Sequence, residues 1–372
     1  MPFLDQITEP TLLLNETVAR ANIRRMADKA HRHHVTLRPH FKTHQSRQVG
    51  EWFKAEGITS ITVSSVKMAQ YFARHGWQNI TIAFPLNRRQ LPQLAELARQ
   101  ITLNLTVTSA DDISFLREHL TEQVNVWVKA DTGYGRTGIK TEDTAALDTV
   151  LHELAQTPQH PFLGFLAHAG HSYKARNKEA IVAIHQETLT KMRALKERYS
   201  GAWPGLQLSI GDTPSCSVTE DFSGMNEIRP GNFVFYDLMQ NLISSCRLED
   251  IAVAVACPVV ALHPDRNEII LYGGSVHFSK DALPQADGGV IFGLVVPLTE
   301  NGWGAPLSET ALVSLSQEHG IVRTTPELFS QFEIGGLVGV LPVHSCLTAD
   351  LMKGYLTLQG ERLEHLSGIN GF

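Results

Sequence analysis

The chain is poor in the features that mark exported, membrane-embedded and nucleic-acid-binding proteins. It has four cysteines, Cys216, Cys246, Cys257 and Cys346, in 372 residues. That is too few for a disulfide scaffold and fits a reducing cytoplasm. No run of about 18 apolar residues occurs, the length a membrane-crossing helix needs. The start, Met1-Pro2-Phe3-Leu4-Asp5, lacks the basic residues and apolar core of a signal peptide. Neither export nor a membrane partner is expected. Positive charge is also short: 32 Lys and Arg stand against 38 Asp and Glu, a formal net charge of −6. The cations are scattered rather than striped, so a nucleic-acid backbone finds no basic footprint.

Hydrophobic residues make up 43% of the chain and charged residues 19%, enough apolar material for full cores. The length exceeds what one compact core holds comfortably, so two domains are expected, 1–240 and 241–372, with residues 1–14 as candidates to join the second. A lead-in strand at 11–15 precedes a helix whose apolar face is Ala19, Ile23, Met26 and Ala30, with Asn15 placed to cap it. Short β-branched runs then alternate with helical patterns: 35–43, 58–65, 79–85, 103–109, 124–132, 161–170, 206–214 and 227–237. Eight βα repeats predict an α/β fold, a closed (β/α)8 TIM-type barrel; an open doubly wound sheet is the alternative. Beyond Asp237 the runs 251–262, 268–272, 289–297 and 336–341 alternate with turn residues, which predicts a mostly β C-terminal domain.

Reacting groups of a parallel barrel sit at the C-terminal ends of its strands. Along Arg38-Pro39-His40-Phe41-Lys42-Thr43-His44, a period of two puts Arg38, His40, Lys42 and His44 on one face. Cationic neighbours and partial burial would favour the neutral, nucleophilic amine of Lys42, which suits carbonyl chemistry. After the seventh and eighth strands, Ser209-Ile210-Gly211-Asp212-Thr213-Pro214-Ser215 and Glu227-Ile228-Arg229-Pro230-Gly231-Asn232 supply small residues that close around a phosphate. Thr213, Gly231 and Asn232 match that role by position, with Tyr236 as an addition. In Leu341-Pro342-Val343-His344-Ser345-Cys346, an extended backbone would point His344 and Cys346 the same way, and imidazole with thiolate suits zinc with open coordination positions. Each motif alone has a plainer reading: a solvated lysine, a glycine turn, a buried free cysteine.

Taken together, the Arg38–His44 run resembles the cofactor-lysine motif of the D-threonine aldolase and D-serine dehydratase family, which are fold-type III, alanine-racemase-like pyridoxal-phosphate enzymes. Asp131-Thr132-Gly133-Tyr134-Gly135-Arg136-Thr137-Gly138 is similar to that family's fifth-strand loop, and His168-Ala169-Gly170-His171-Ser172-Tyr173 to its next loop. Glu318-His319-Gly320 also resembles a family feature, without an assigned role. The resemblance implies that Lys42 carries pyridoxal 5'-phosphate and is the catalytic base. It implies that Arg136 approaches the cofactor's phenolic oxygen and that Tyr173 lies by its pyridine ring. His40, His168, Arg229 and the phosphate loops would complete the cofactor contacts. It also implies a catalytic metal on His344 and Cys346. Cysteine at the third place of that motif is similar to the D-serine dehydratase branch, where aldolases carry aspartate; the thiolate points to Zn2+ over Mn2+ or Mg2+. The implied activity is a lyase on a small β-hydroxy D-amino acid, by dehydration to a 2-oxo acid and ammonia. Retro-aldol cleavage is the alternative; a racemase and a non-catalytic cofactor carrier are less favoured. D-Serine, D-threonine and 3-hydroxy-D-aspartate remain open as substrates. A homodimer is implied, the β domain of one chain closing the other's barrel mouth.

Overall fold

The structure is a computed structural model describing residues 3–286 and 288–366. Eight parallel strands, Thr36–Leu37, Ile61–Val63, Asn79–Pro85, Thr102–Val107, Asn125–Asp131, Phe162–Ala167, Gln207–Ile210 and Glu227–Ile228, pair in sequence order, and the first also pairs with the last. A parallel bridge between His40 and Thr62 closes the ring, with Phe41 N–H donating to Thr62 O at 2.9 Å. The expected barrel is thus present, and each strand falls within or at the edge of its predicted run. The first is far shorter than 35–43. Pro39 has no N–H for the ladder, and the chain turns over Phe41–His44.

The junctions are shaped by local chemistry. Asn15 Oδ1 accepts from Val18 N–H at the start of helix Glu16–Arg32, whose Ala19, Ile23, Met26 and Ala30 are buried as their spacing predicts. Ser46, Ser65, Ser109, Asp143, Asn177 and Asp212 likewise cap the helices that follow them. A short polar side chain at this place satisfies a free amide, so the sequence marks these strand-to-helix turns.

The floor of the barrel is polar. Asn79, Asn104 and Asn125 stand at or near the starts of three adjacent strands and pass hydrogen bonds between their side-chain amides at 2.9 Å. Arg38 donates to Asn79 Oδ1 at 2.8 Å and is paired with Glu227, whose other oxygen takes the Ser209 hydroxyl at 2.6 Å. Both partners of the Arg38–Glu227 pair are buried.

Among the described residues a second sheet of nine strands follows the order Glu268–Tyr272, His319–Arg323, Ala311–Leu315, Gly293–Val296, Leu337–Pro342, Val253–His263, Thr11–Leu14, Gly354–Thr357 and Arg362–Glu364. Glu268–Tyr272 pairs with Val253–His263 as well, so six of these strands close on themselves. The lead-in strand Thr11–Leu14 belongs to this sheet, antiparallel to Val253–His263. Among the described residues no helix is long and apolar enough to cross a membrane. Removing one member of a buried ion pair strands the other, so Glu227→Ala should lower unfolding stability by about 3–5 kcal/mol, with Glu227→Gln in between, in urea denaturation followed by circular dichroism.

Candidate active site at the barrel mouth

At the C-terminal ends of the barrel strands lies a cavity with about 480 Å3 of free space, part of it open to solvent. Its walls carry four cationic side chains, Lys42, Lys129, Arg136 and Arg229, and one carboxylate, Asp212. Lys129 was not foreseen. It sits in strand Asn125–Asp131, a run whose interior residues are all buried. A charge inside such a run was the available signal. Burial, with Arg229 and Arg136 adding, pushes the Lys129 amine well below its ordinary range.

Two imidazoles complete the wall. His168 bonds Gly211 O through Nδ1 at 2.6 Å, and burial, then the charge of Lys129, holds its pKa well below the usual value. His40 is held down in the same way by burial, then by Lys42 and Arg229. Both rings are therefore neutral near pH 7, and His168 keeps Nε2 as an acceptor. Tyr173 lines the cavity; its hydroxyl accepts from Thr213 N–H at 3.1 Å, and burial pushes the phenol pKa up. Arg136 lies over the Tyr134 ring at 5.0 Å. Gly231 closes tightly on the first strand: a Cβ there would stand 2.8 Å from His40 O.

Several expected placements differ. His44 does not share the face of Lys42. The strand has ended, and His44 is buried against Phe41 and Phe53. Thr213 is fully buried behind the cavity wall, where its hydroxyl accepts from Gly231 N–H at 3.3 Å. Tyr236 points away and bonds Ser217 at 2.9 Å. Glu318 to Gly320 belong to a β hairpin of the second sheet, not to the cavity.

The His344–Cys346 pair was expected on an extended segment. Strand Leu337–Pro342 has ended there, and helix Ser345–Met352 has begun, favoured by the helix formers Leu347, Ala349, Leu351 and Met352. His344 is its N-cap residue, and its ring acts on the Cys346 thiol. Cys346 Sγ lies 3.2 Å from Oγ1 of Thr43, the neighbour of Lys42, and 3.6 Å from Nδ2 of Asn232. The motif therefore reaches the barrel mouth of its own chain. Burial opposes ionisation of Cys346, but the bond and charge of His344, with Lys42 and Thr43 adding, hold the thiol below its ordinary range. Against burial, Asp281 and Cys346 push His344 up to about 11. Among the described residues no third His, Cys, Asp or Glu completes a ligand cluster with them.

A cavity lined by four cationic residues against one carboxylate, glycine-walled and with a lysine at its mouth, fits an anionic cofactor bound through an amine. The neighbouring imidazole and thiolate fit a borderline-soft metal with open positions. Barrel, second sheet and site together define a chain of the alanine-racemase type. The family model described as "Alanine racemase, N-terminal domain" matches residues 15–238, and the chain belongs to that family. A second model, for a serine dehydratase domain, matches residues 252–358.

Among relatives, the D-serine dehydratase of Dictyostelium discoideum is 29% identical, covering 96% of this chain and 95% of its own. The D-threo-3-hydroxyaspartate dehydratase of Delftia sp. is 29% identical over 95% of this chain and 94% of its own, and its solved structure superposes with a TM-score of 0.89 over 98% of both chains. A cysteine-to-alanine variant of that dehydratase was solved in a metal-free form, with a TM-score of 0.89 at 28% identity over 98% of this chain and 99% of its own. The D-threonine aldolase of Arthrobacter is 26% identical over 98% of this chain and 92% of its own. The fold and these relatives imply pyridoxal phosphate. Gly231→Ala should force His40 out of the wall and weaken cofactor binding by about tenfold or more, roughly 1.4 kcal/mol, in absorbance titration of the cofactor-free protein.

Proposed function

We propose that the protein is a pyridoxal-phosphate- and zinc-dependent lyase that dehydrates a β-hydroxy D-amino acid, D-serine above all, to a 2-oxo acid and ammonia. The observation that carries this reading is the meeting of two chemistries at one mouth: Thr43, next to Lys42, touches the thiol of Cys346. A substrate held at Lys42 would therefore lie near the His344–Cys346 pair.

Lys42 would hold the cofactor through its amine, in a pocket formed by His40, Arg136, His168, Tyr173, Arg229, Gly231 and Asn232, with Thr213 fixing Gly231 from behind. When bound, pyridoxal phosphate supplies a sink for the electron pair left at Cα. A metal held by His344 and Cys346 supplies a Lewis acid for the departing hydroxyl, and the nitrogen and sulfur donors favour zinc over manganese or magnesium. Lys42 would be the base placed to take the Cα proton. Burial, with the neighbouring cations adding, keeps His40 and His168 neutral, so neither is a competing acid. Water lost from the β-carbon is returned on hydrolysis, and D-serine becomes pyruvate and ammonium without net oxidation.

Those neutral imidazoles are also the observation that favours the second reading. Retro-aldol cleavage needs a base for the β-hydroxyl proton, and a neutral histidine beside the cavity has the right protonation state. A homodimer accords with Leu347 and Leu351, four residues apart on helix Ser345–Met352 and 42% and 38% exposed beside the mouth. The four free cysteines accord with a cytoplasmic location.

Incubation of the purified protein with D-serine should yield pyruvate and ammonia, and D-threonine, where accepted, should yield 2-oxobutyrate. Glycine and acetaldehyde from D-threonine, with no pyruvate from D-serine, would replace this reading by the aldolase. Lys42→Ala should lose the lysine-linked visible chromophore and lower turnover by about 10^2- to 10^4-fold, the usual loss for a general base; an active variant would remove Lys42 from its role.

A further inference from the structure

The pair formed by His344 and Asp281 lies outside the cofactor cavity. Asp281 Oδ2 meets Nδ1 of His344 at 2.6 Å. Counted as a surface ion pair, with side chains 30% and 35% exposed, it would contribute little to stability. Its construction points elsewhere. The amide of Asp281 donates to Oγ of Ser279 at 3.1 Å. Ser279 itself has φ 67°, a left-handed conformation that a serine adopts only where its surroundings impose it. The preceding short helix, Ser275–Phe278, packs on helix Ser345–Met352, and Thr348 Oγ1 donates to Phe278 O at 3.4 Å. Acid and imidazole thus arrive on two segments that are bonded to each other, with the acid held in place by its own backbone.

A neutral imidazole has one lone pair available to a metal. Which nitrogen offers it depends on where the proton sits, and a carboxylate on Nδ1 settles that question while raising the basicity of Nε2. We propose that Asp281 is the positioning residue of the metal centre: it accepts the Nδ1–H of His344, fixes tautomer and ring plane, and leaves Nε2 to the metal beside Cys346. The inference rests on His344 and Cys346 being the metal pair. It adds an acid, 63 positions before the histidine in the chain, that no motif marks.

The test measures zinc affinity of the full-length, cofactor-loaded protein after metal removal, by competition with a chromophoric chelator at fixed pH and without substrate. Asp281→Ala should bind zinc about 10- to 100-fold more weakly. Asp281→Asn should fall between, because its amide oxygen still accepts from Nδ1–H but carries no charge. It also carries the test if the alanine variant does not fold. His344→Ala should lose tight binding altogether. Wild-type affinity in Asp281→Ala, with His344→Ala defective, would overturn the role of Asp281 alone. Wild-type affinity in His344→Ala would overturn the metal site beneath it. A merely structural role would lower the melting temperature of the metal-free protein and leave Asn no better than Ala, which would equally overturn the proposal.

Discussion

One buried carboxylate, Asp237, joins the barrel to the second sheet at the place where their chemistries meet. It is 1% exposed, and burial raises its pKa. Its oxygens accept from Gln240 N–H, from the Asn232 amide at 2.6 Å, and from the amide and hydroxyl of Ser345 at 3.0 and 3.3 Å. The same side chain therefore caps the helix that leaves the barrel and holds the first turn of the helix that carries Cys346. Asn232, fixed by Asp237, reaches the Cys346 sulfur in turn. Asp237 acts with other ties across the same boundary, Tyr355 O–H to His44 O at 2.6 Å and Gln45 Nε2 to Asp350 at 3.1 Å, which together limit drift between the lysine and the thiol. A drift of 1 Å is enough to spoil a reacting geometry.

Charge is distributed so that the barrel can hold this arrangement. Its floor neutralises itself, with Glu227 between Arg38 and Ser209, and with Arg229 at 3.8 Å. Its mouth is lined by Lys42, Lys129, Arg136 and Arg229 around one acid, and burial first, then these neighbours, holds His40 and His168 well below the usual imidazole range. A lining rich in basic groups fits an anionic ligand. At its edge the opposite device operates. Against burial, His344 draws the Cys346 thiol down, and Asp281 and Cys346 push His344 up to about 11.

Much of this was legible before folding. The loops of Arg136 and His168 were marked by resemblance to the family, whereas the eight strands, the face Ala19, Ile23, Met26 and Ala30, the Asn15 cap and the motifs around Lys42, Arg229 and His344 follow from residue type and short periodicity. Those features act over a few residues, through dihedral preference, capping and alternation, and they survive whatever the rest of the chain does. The alternation drawn through His44 failed because Pro39 and the turn after it end the strand that the period assumed. Lys129 was visible only as a charge in an apolar run. Asp281 on His344, Asp237 on Ser345 and Thr43 on Cys346 join residues 63, 108 and 303 positions apart. No local pattern encodes such contacts, since closing the barrel and packing the second sheet against it decide which distant side chains meet. The amino-acid sequence by itself determined the elements and the types of chemistry available. Only the tertiary structure decided which groups share a site, because that depends on the packing of whole sheets rather than on the preferences of neighbouring residues.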